Sequence, residues 1–397
     1  MNRLPAWIEP RAAYVHIPFC AHHCGYCDFA VSVGQDSLMP LYVDALSAEL
    51  ARFKTPRSLD TIFIGGGTPT HLPIRELGRV LRAIQQWLPL TPGGEFSIES
   101  NPESLNAATC QILADAGVTR VSVGVQSFQP HLLKALDRVH RYEQIPQALD
   151  AVRAAGLELS LDLIFGAPGA TLADWECDLN AAVAYDTAHL STYGLTYEKG
   201  TPLWKDRERG RLFPVTEDDE LAMYECGIDR LASAGLEQYE VSNFAKAGHR
   251  CRHNEHYWAN DAYFGFGVGA ARYVNFSREL NVRNTGDYIR KMLAGDSVVF
   301  QSELLTPLER AYETLAVQLR RTEGIHFASF EEQTGFAFEP LVRDRLPVLQ
   351  EQGLLTLAES ALCLTRSGRR LADAIIEDLL KAKPTPASRR PLPRHEG

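Results

Sequence analysis

Residues 14–27 read Tyr14-Val-His-Ile-Pro-Phe-Cys20-Ala-His-His-Cys24-Gly-Tyr-Cys27, a short β-branched run that breaks at Pro18 and opens into three cysteines. The run Ala13–Ile17 predicts a strand. The cysteines follow on the loop at its C-terminal end, where barrel enzymes place their sites. Three thiolates this close, with Gly25 permitting a tight turn, can grip one metal centre. A saturated iron–sulfur cluster takes four cysteines, so a cubane held by three leaves one iron open for an external ligand. Zinc is the competing reading, with His22 or His23 as fourth ligand. Structural zinc sites usually pair ligands from two separated knuckles, however, and here there is one. The spacing favours a [4Fe-4S] cluster on Cys20, Cys24 and Cys27.

Working outward, short apolar runs alternate with amphipathic stretches. Further strands are predicted at Leu59–Ile64, Glu95–Ser100, Arg120–Val125, Leu157–Ile164 and Ala188–Leu195. Helices are predicted at Leu41–Phe53, Ile74–Trp87, Ala107–Ala116, Ile145–Ala155 and Leu172–Ala184. This alternation means right-handed βαβ units around a parallel sheet. Six units are too few to close an eight-stranded barrel, which leaves a partial (β/α)6 barrel or a doubly wound sheet. A helix at Glu217–Ala234, a strand at Gln238–Val241 and an aromatic, Gly-rich stretch at Tyr257–Tyr273 follow. From about residue 304 the pattern turns helical, with Pro307–Arg320, Phe327–Thr334, Glu339–Gln352 and Ser367–Leu380 around a hairpin at Leu354–Leu357 and Ala361–Leu364. That arrangement is winged-helix-like. The expected division is 1–300 for the barrel with its extension, 301–380 for the helical module and 381–397 for a disordered, basic, Pro-rich tail.

Composition narrows the function classes. A net charge of −10 argues against a broad nucleic-acid-binding face. No apolar run reaches transmembrane length, and Met1–Pro10 has no signal-peptide core, so a cytoplasmic protein is expected, with at most peripheral membrane association. Eight cysteines in such a compartment are not a disulfide framework. Cys110, Cys177, Cys226 and Cys363 stand singly and read as small core hydrophobes.

The other strand ends carry polar groups that packing does not require. Gly65-Gly66-Gly67-Thr68-Pro69 ends the second strand, where glycines admit a ligand close to the backbone. Glu99 with Asn101-Pro102, Gln126-Ser127 and Asp162 end the next three, and Arg138 follows shortly after the fourth. Their convergence on one rim decides for the barrel. It fits a ligand with amine, carboxylate, ribose and adenine.

These motifs, together with Gly-Val-Gln126-Ser, Asp162-Leu-Ile-Phe-Gly and His189-Leu-Ser-Thr-Tyr, resemble the oxygen-independent coproporphyrinogen dehydrogenase family of radical S-adenosylmethionine (SAM) proteins, along nearly the whole chain. The resemblance implies a partial (β/α)6 barrel in which SAM chelates the open iron. It puts Tyr14, Tyr26, Gly66, Gly67, Thr68, Glu99, Gln126, Arg138 and Asp162 at SAM-contact positions. Two departures separate the chain from the dehydrogenase itself. Phe29 stands where that pattern has a further cysteine, and the first strand begins too early for the dehydrogenase's N-terminal extension.

Both departures fit a sibling branch, the heme chaperones, also marked by Tyr239-Glu-Val-Ser-Asn243-Phe244 and by His253-Asn254-x-x-Tyr257-Trp258. Heme iron takes an imidazole or thiolate, and aromatic rings flank a porphyrin. His253 is therefore the first heme-ligand candidate and Cys251 the second, with His249 and His256 in reserve. The competing reading makes Tyr257 and Trp258 core aromatics and His253 a structural residue. The segment is expected beyond the barrel strands, near Gly265–Gly269, as a site separate from the cluster. Relatives carry Gly-Ala-His where this chain has Gly269-Ala270-Ala271-Arg272. By resemblance the chain binds heme and hands it to acceptor hemoproteins, including respiratory ones, with a homodimer compatible. The alternatives are a dehydrogenase-type radical SAM enzyme and, third, a zinc-stabilised nucleic-acid-binding module.

Overall fold

The computed structural model describes residues 4–382; from residue 383 on, the predicted tail lies outside the described residues. The barrel strands are β1 (Ala12–Ile17), β4 (Leu59–Gly66), β5 (Leu90–Ser100), β6 (Arg120–Gln126), β7 (Glu158–Phe165) and β8 (His189–Gly194). Two-residue strands β2 (Phe19–Cys20) and β3 (Ser32–Val33) pair in parallel and frame the cysteine loop. The six barrel strands are parallel and pair in chain order. Helices α1 (Met39–Ala51), α2 (Ile74–Trp87), α3 (Ala107–Asp115), α4 (Pro130–Ala135), α5 (Gln144–Ala154) and α6 (Leu172–Ala184) come between them. The predicted elements match these to within a few residues, except that β5 begins five residues early.

The strands do two jobs at once. In β7, Leu159, Leu161 and Leu163 face the helical layer and join the main core. Ser160, Asp162 and Ile164, one step out of phase, line the interior cavity. In β6, Val121, Val123 and Val125 pack outward while Arg120, Ser122, Gly124 and Gln126 face in. The period-2 pleat forces this division. A parallel sheet covered only on its outer face by helices leaves its inner face for a ligand.

After β8 come α7 (Pro202–Glu208), α8 (Glu217–Ser233), β9 (Glu237–Gln238), β10 (Asn243–Ala245) and α9 (Arg252–Trp258). Then β11 (Tyr263–Phe266), β12 (Ala271–Val274), β13 (Ser277–Asn281) and β14 (Val299–Leu304) extend the sheet beyond β1. Strand β11 lies parallel to β1, with Gly265 opposite Tyr14, so the Gly-rich segment begins in the sheet, and residues 267–269 turn toward β12. A twelve-stranded sheet results, in the order β14-β13-β12-β11-β1-β4-β5-β6-β7-β8-β10-β9.

The C-terminal module has its own core, built on Leu315, Phe330, Phe338, Leu362 and Leu379. Its hairpin strands Leu355–Leu357 and Ala361–Leu364 are joined by Ile325–His326 into a three-stranded sheet. The single helix expected over 339–352 is two, Glu339–Val342 and Leu346–Glu351. Pro347 is the reason: it sits in the first turn of the second helix and lacks the N–H that a continuous helix would donate to the Arg343 carbonyl. The module is tied to the barrel by Arg366, which pairs with Glu225 and Asp229, and by the Thr322 N–H, which donates to the Tyr239 carbonyl at 3.0 Å. Among the single cysteines Cys110 is buried, but Cys177 is exposed and is no core residue.

A Cβ at Gly265 would sit 1.8 Å from the Ala271 carbonyl oxygen, because β11 and the start of β12 approach closely beside Tyr14. Gly265→Ala is expected to destabilise the protein by about 1–3 kcal/mol, read as a lower urea midpoint at unchanged m-value.

Candidate functional site

The inner faces of the strands enclose a cavity of about 490 Å³. At its open end lie Cys20, Cys24 and Cys27, half-buried on the loop after β1. Cys20 Sγ is 3.4 Å from Thr68 Oγ1, and Arg138 Nη1 donates to Cys24 Sγ at 3.4 Å. Burial pushes the Cys20 thiol up to about 11, against the Thr68 hydroxyl, which favours the thiolate. An electron-deficient metal centre supplies what these sulfurs lack, since ligation deprotonates a thiol outright. The histidines of the zinc reading point elsewhere, with His22 Nε2 3.0 Å from Asp137 and His23 Nε2 3.0 Å from the Cys27 carbonyl. No three His, Cys, Asp or Glu side chains among the described residues close on a single ion. A cubane, wider than one ion, is the better fit to three sulfurs spread around a loop.

Backbone packing makes the rim. A Cβ on Gly67 would meet the Pro18 carbonyl at 2.7 Å, and Gly66, at φ +109°, would drive one into the His16 ring. Only glycine lets this strand end close over the cysteine loop. The Gly66 N–H donates to Glu99 Oε2 at 3.0 Å. Gln126 sits at φ +65°, where the β6–β7 register shifts between Gly124 and Gln126. This strained bulge turns its side chain back over Gly124.

Arg138 is the hub of the rim. Its Nη2 donates to Asn101 Oδ1 at 2.7 Å and to the Gly124 carbonyl at 3.0 Å, and Nη1 reaches Tyr26 Oη at 3.5 Å. Opposite it are two half-buried carboxylates, Glu99 and Asp162. Burial, then the neighbouring Asp162 charge, raises Glu99 from 4.5 to about 7, with the Gly66 N–H pulling the other way. Burial raises Asp162 too, although Ser191 and Ser122 hydroxyls donate to it. Neither acid ion-pairs with a Lys or Arg among the described residues. A ligand bearing an ammonium and a sulfonium would complete this pair. The residues present therefore fit SAM and a three-cysteine cluster.

The heme candidates are not where they were expected. Helix α9 does not stand apart from the barrel; it closes the far end of the same cavity, so Cys251, His253, Asn254 and Tyr257 line one chamber with Cys20, Glu99 and Asp162. Sequence distance hid this, because α9 packs against the middle of β4. His253, 1% exposed, sits 3.0 Å by Nδ1 from Thr61 Oγ1, with its ring stacked on Phe63 at 5.2 Å. Its buried Nε2 has no hydrogen-bond partner among the described residues, and burial lowers its pKa to about 3, so the imidazole is neutral, the form that ligates a metal. Cys251 is buried, with Sγ 3.4 Å from Glu95 Oε1. The reserves are engaged elsewhere: His249 Nδ1 lies 2.6 Å from Glu158 Oε2, and His256 Nε2 is 2.9 Å from the Ala262 carbonyl. Ala271 lies on β12, outside the chamber lining, and Arg272 pairs with Glu279.

Glu95 and Arg120 were missed by the sequence reading. Glu95 accepts the N–H groups of Arg252 at 3.0 Å and His253 at 3.2 Å, capping α9. Arg120 pairs with Glu95 and Glu158 and donates to the His249 carbonyl at 2.8 Å. The available signal was a charged residue at the first position of the two strands predicted at Glu95–Ser100 and Arg120–Val125. Tyr239 of the Tyr-Glu-Val-Ser-Asn-Phe motif joins this floor, its Oη 2.8 Å from His189 Nε2.

The model of the radical SAM superfamily matches residues 14–181, and that of the HemN C-terminal domain matches residues 305–371. The heme chaperone HemW of Bacillus subtilis (strain 168) is 38% identical over 371 residues, 92% of this chain and 98% of that protein. The chain belongs to the HemW family. HemW of Escherichia coli (strain K12) is 32% identical over 379 residues, covering 93% of this chain and 98% of its own. The fold of the HemW-family chain is also that of coproporphyrinogen III oxidase (HemN) from Escherichia coli, a radical SAM enzyme. The two structures match with TM-score 0.82 at 21% identity, over 94% and 91% of their lengths. The radical SAM family implies SAM and a [4Fe-4S] cluster as its cofactors.

Anaerobic reconstitution is expected to load close to one four-iron cluster per chain. Cys20→Ala, Cys24→Ala or Cys27→Ala should each abolish it and Cys110→Ala should not, as read by iron and acid-labile sulfide. Glu99 supplies a second test. Its folded pKa lies above its unfolded one, so the cofactor-free protein binds extra protons and loses stability as pH rises from about 4.5 to about 7. Glu99→Gln should raise the apo melting temperature at pH 8 but not at pH 4, and should weaken SAM binding by about tenfold or more.

Proposed function

We propose that this chain is a heme chaperone that binds heme and delivers it to acceptor hemoproteins, with SAM and the cluster retained at the rim of its barrel. The observation that carries the reading is the buried imidazole of His253. It offers a neutral, unpartnered Nε2 between Phe63 and Tyr257, in a chain that matches proteins named heme chaperones along more than nine-tenths of its length. Heme iron would take that nitrogen as its axial ligand, and the aromatic walls would cover the porphyrin. His253 stands first and Cys251 second, since the Cys251 thiol already faces Glu95 and burial holds it protonated. Acceptors include respiratory hemoproteins. Among the described residues no helix is long and apolar enough to cross a membrane. The proposed chaperone works in the cytoplasm and approaches membrane-bound acceptors peripherally.

A second reading, a radical SAM enzyme of the coproporphyrinogen dehydrogenase type, draws support from Glu99, Asp162 and Arg138. A bound cluster supplies an electron for reductive cleavage of the sulfonium. This chain's own part would be to orient the SAM amine and carboxylate and to keep water from the chamber. Phe29, 67% exposed at the mouth, stands where the dehydrogenase pattern has its further cysteine and speaks against that chemistry.

Parallel assays on the reconstituted protein separate the two readings. Hemin should bind with a Soret band that shifts and weakens in His253→Ala. Coproporphyrinogen III with SAM and a low-potential reductant, under strict exclusion of oxygen, should give no protoporphyrinogen above a cluster-free control. Turnover well above that control would overturn this assignment, and hemin titrations identical for wild type, His253→Ala and Cys251→Ala would remove this segment as the source of the axial ligand.

A further inference from the structure

We infer that heme and SAM compete for one chamber, so that each weakens the binding of the other. The inference rests on the heme-chaperone reading with His253 as the iron ligand. The groups that would hold the two ligands are not on separate surfaces. The rim residues Glu99, Asp162 and Arg138 and the floor residues His253 and Tyr257 line the same cavity. A single stack of rings joins them: Tyr14, at a SAM-contact position, lies 6.3 Å from Phe63, and Phe63 lies 5.2 Å from His253. A macrocycle centred on His253 Nε2 would extend along that stack to Tyr14.

Nε2 is buried, without a hydrogen-bond partner among the described residues. His253 Nδ1 is occupied by Thr61, and the helix that carries it is locked from behind. Glu95 takes the Arg252 and His253 N–H groups, and Arg120, paired with Glu95, holds the His249 carbonyl. His253 is part of the cavity lining, so iron would reach it through the lumen, past the rim. A chamber of about 490 Å³ takes one drug-sized ligand, not a porphyrin and a nucleoside–amino-acid conjugate together. Two ligands that exclude each other couple negatively, and the coupling is reciprocal. SAM bound against the cluster would then hold the chaperone closed to heme, and its departure would open the chamber for loading.

The experiment uses the full chain, reconstituted anaerobically with its cluster. Hemin is titrated at rising SAM and followed by the Soret band, and labelled SAM is measured by equilibrium dialysis with and without hemin. Saturating SAM should raise the apparent Kd for hemin about tenfold or more, and bound hemin should raise the Kd for SAM by the same factor. In His253→Ala, which keeps the SAM rim, residual hemin binding should no longer respond to SAM, and SAM retention by this variant shows that it is folded. Hemin and SAM binding independently to wild type, or each tightening the other, would overturn the inference and leave the chaperone reading standing. SAM-sensitive hemin binding that persists in His253→Ala would overturn the placement on that nitrogen. Wild type that binds no hemin at any SAM concentration would remove the chaperone reading, and the inference with it.

Discussion

The barrel depends on one constraint of the extended chain: successive side chains of a strand must point to opposite faces. Helices cover the outer face and demand apolar residues there, which the valines of β6 and the leucines of β7 supply. The inner face is released from that demand. Serines, carboxylates and a guanidinium can occupy it without breaking the core, as Ser122, Asp162 and Arg120 do. Stability and chemistry are thus written on alternate residues of the same strands, and a change on one face leaves the other largely intact.

A lumen built this way is open at both ends, and the two ends are closed by different physics. At the rim, glycines allow backbone to approach backbone, and Arg138 draws Asn101, Gly124, Tyr26 and Cys24 around one cation. At the floor, a buried ion-paired group does the work. Arg120 and Glu95 are both buried, where an unpaired charge would be strongly destabilising. Each is satisfied by the other and by the backbone of the segment leading into α9. The helix that carries His253 is therefore held by the barrel strands themselves, which makes the C-terminal half of the chain part of the barrel's interior.

The electrostatics of the chamber divide along its depth. The rim gathers acids whose burial disfavours their charge, the floor a neutral imidazole, and the thiols lie at the mouth beside Arg138. Such an arrangement is poorly satisfied alone and well satisfied by a cationic ligand next to a thiolate-bound cluster. The buried Nε2 of His253 has no hydrogen-bond partner among the described residues, and the residue belongs to the lining of the same chamber.

The sequence alone determined the barrel's order of strands and helices, the cysteine loop, and the residues that converge on the rim. These are local matters: hydrophobic period, turn residues and spacing act between near neighbours. Two local misreadings also have local causes, Pro347 splitting one helix and Cys177 lying on the solvent side of α6. The tertiary structure decided where α9 goes. Its seven residues look like a separate heme segment when read along the chain, because Thr61, Glu95 and Arg120, which fix it, lie some 130 to 190 positions earlier. Contacts of that range arise from the way the strands twist and close, which no local pattern encodes. That closure places His253 in the same chamber as the cluster loop.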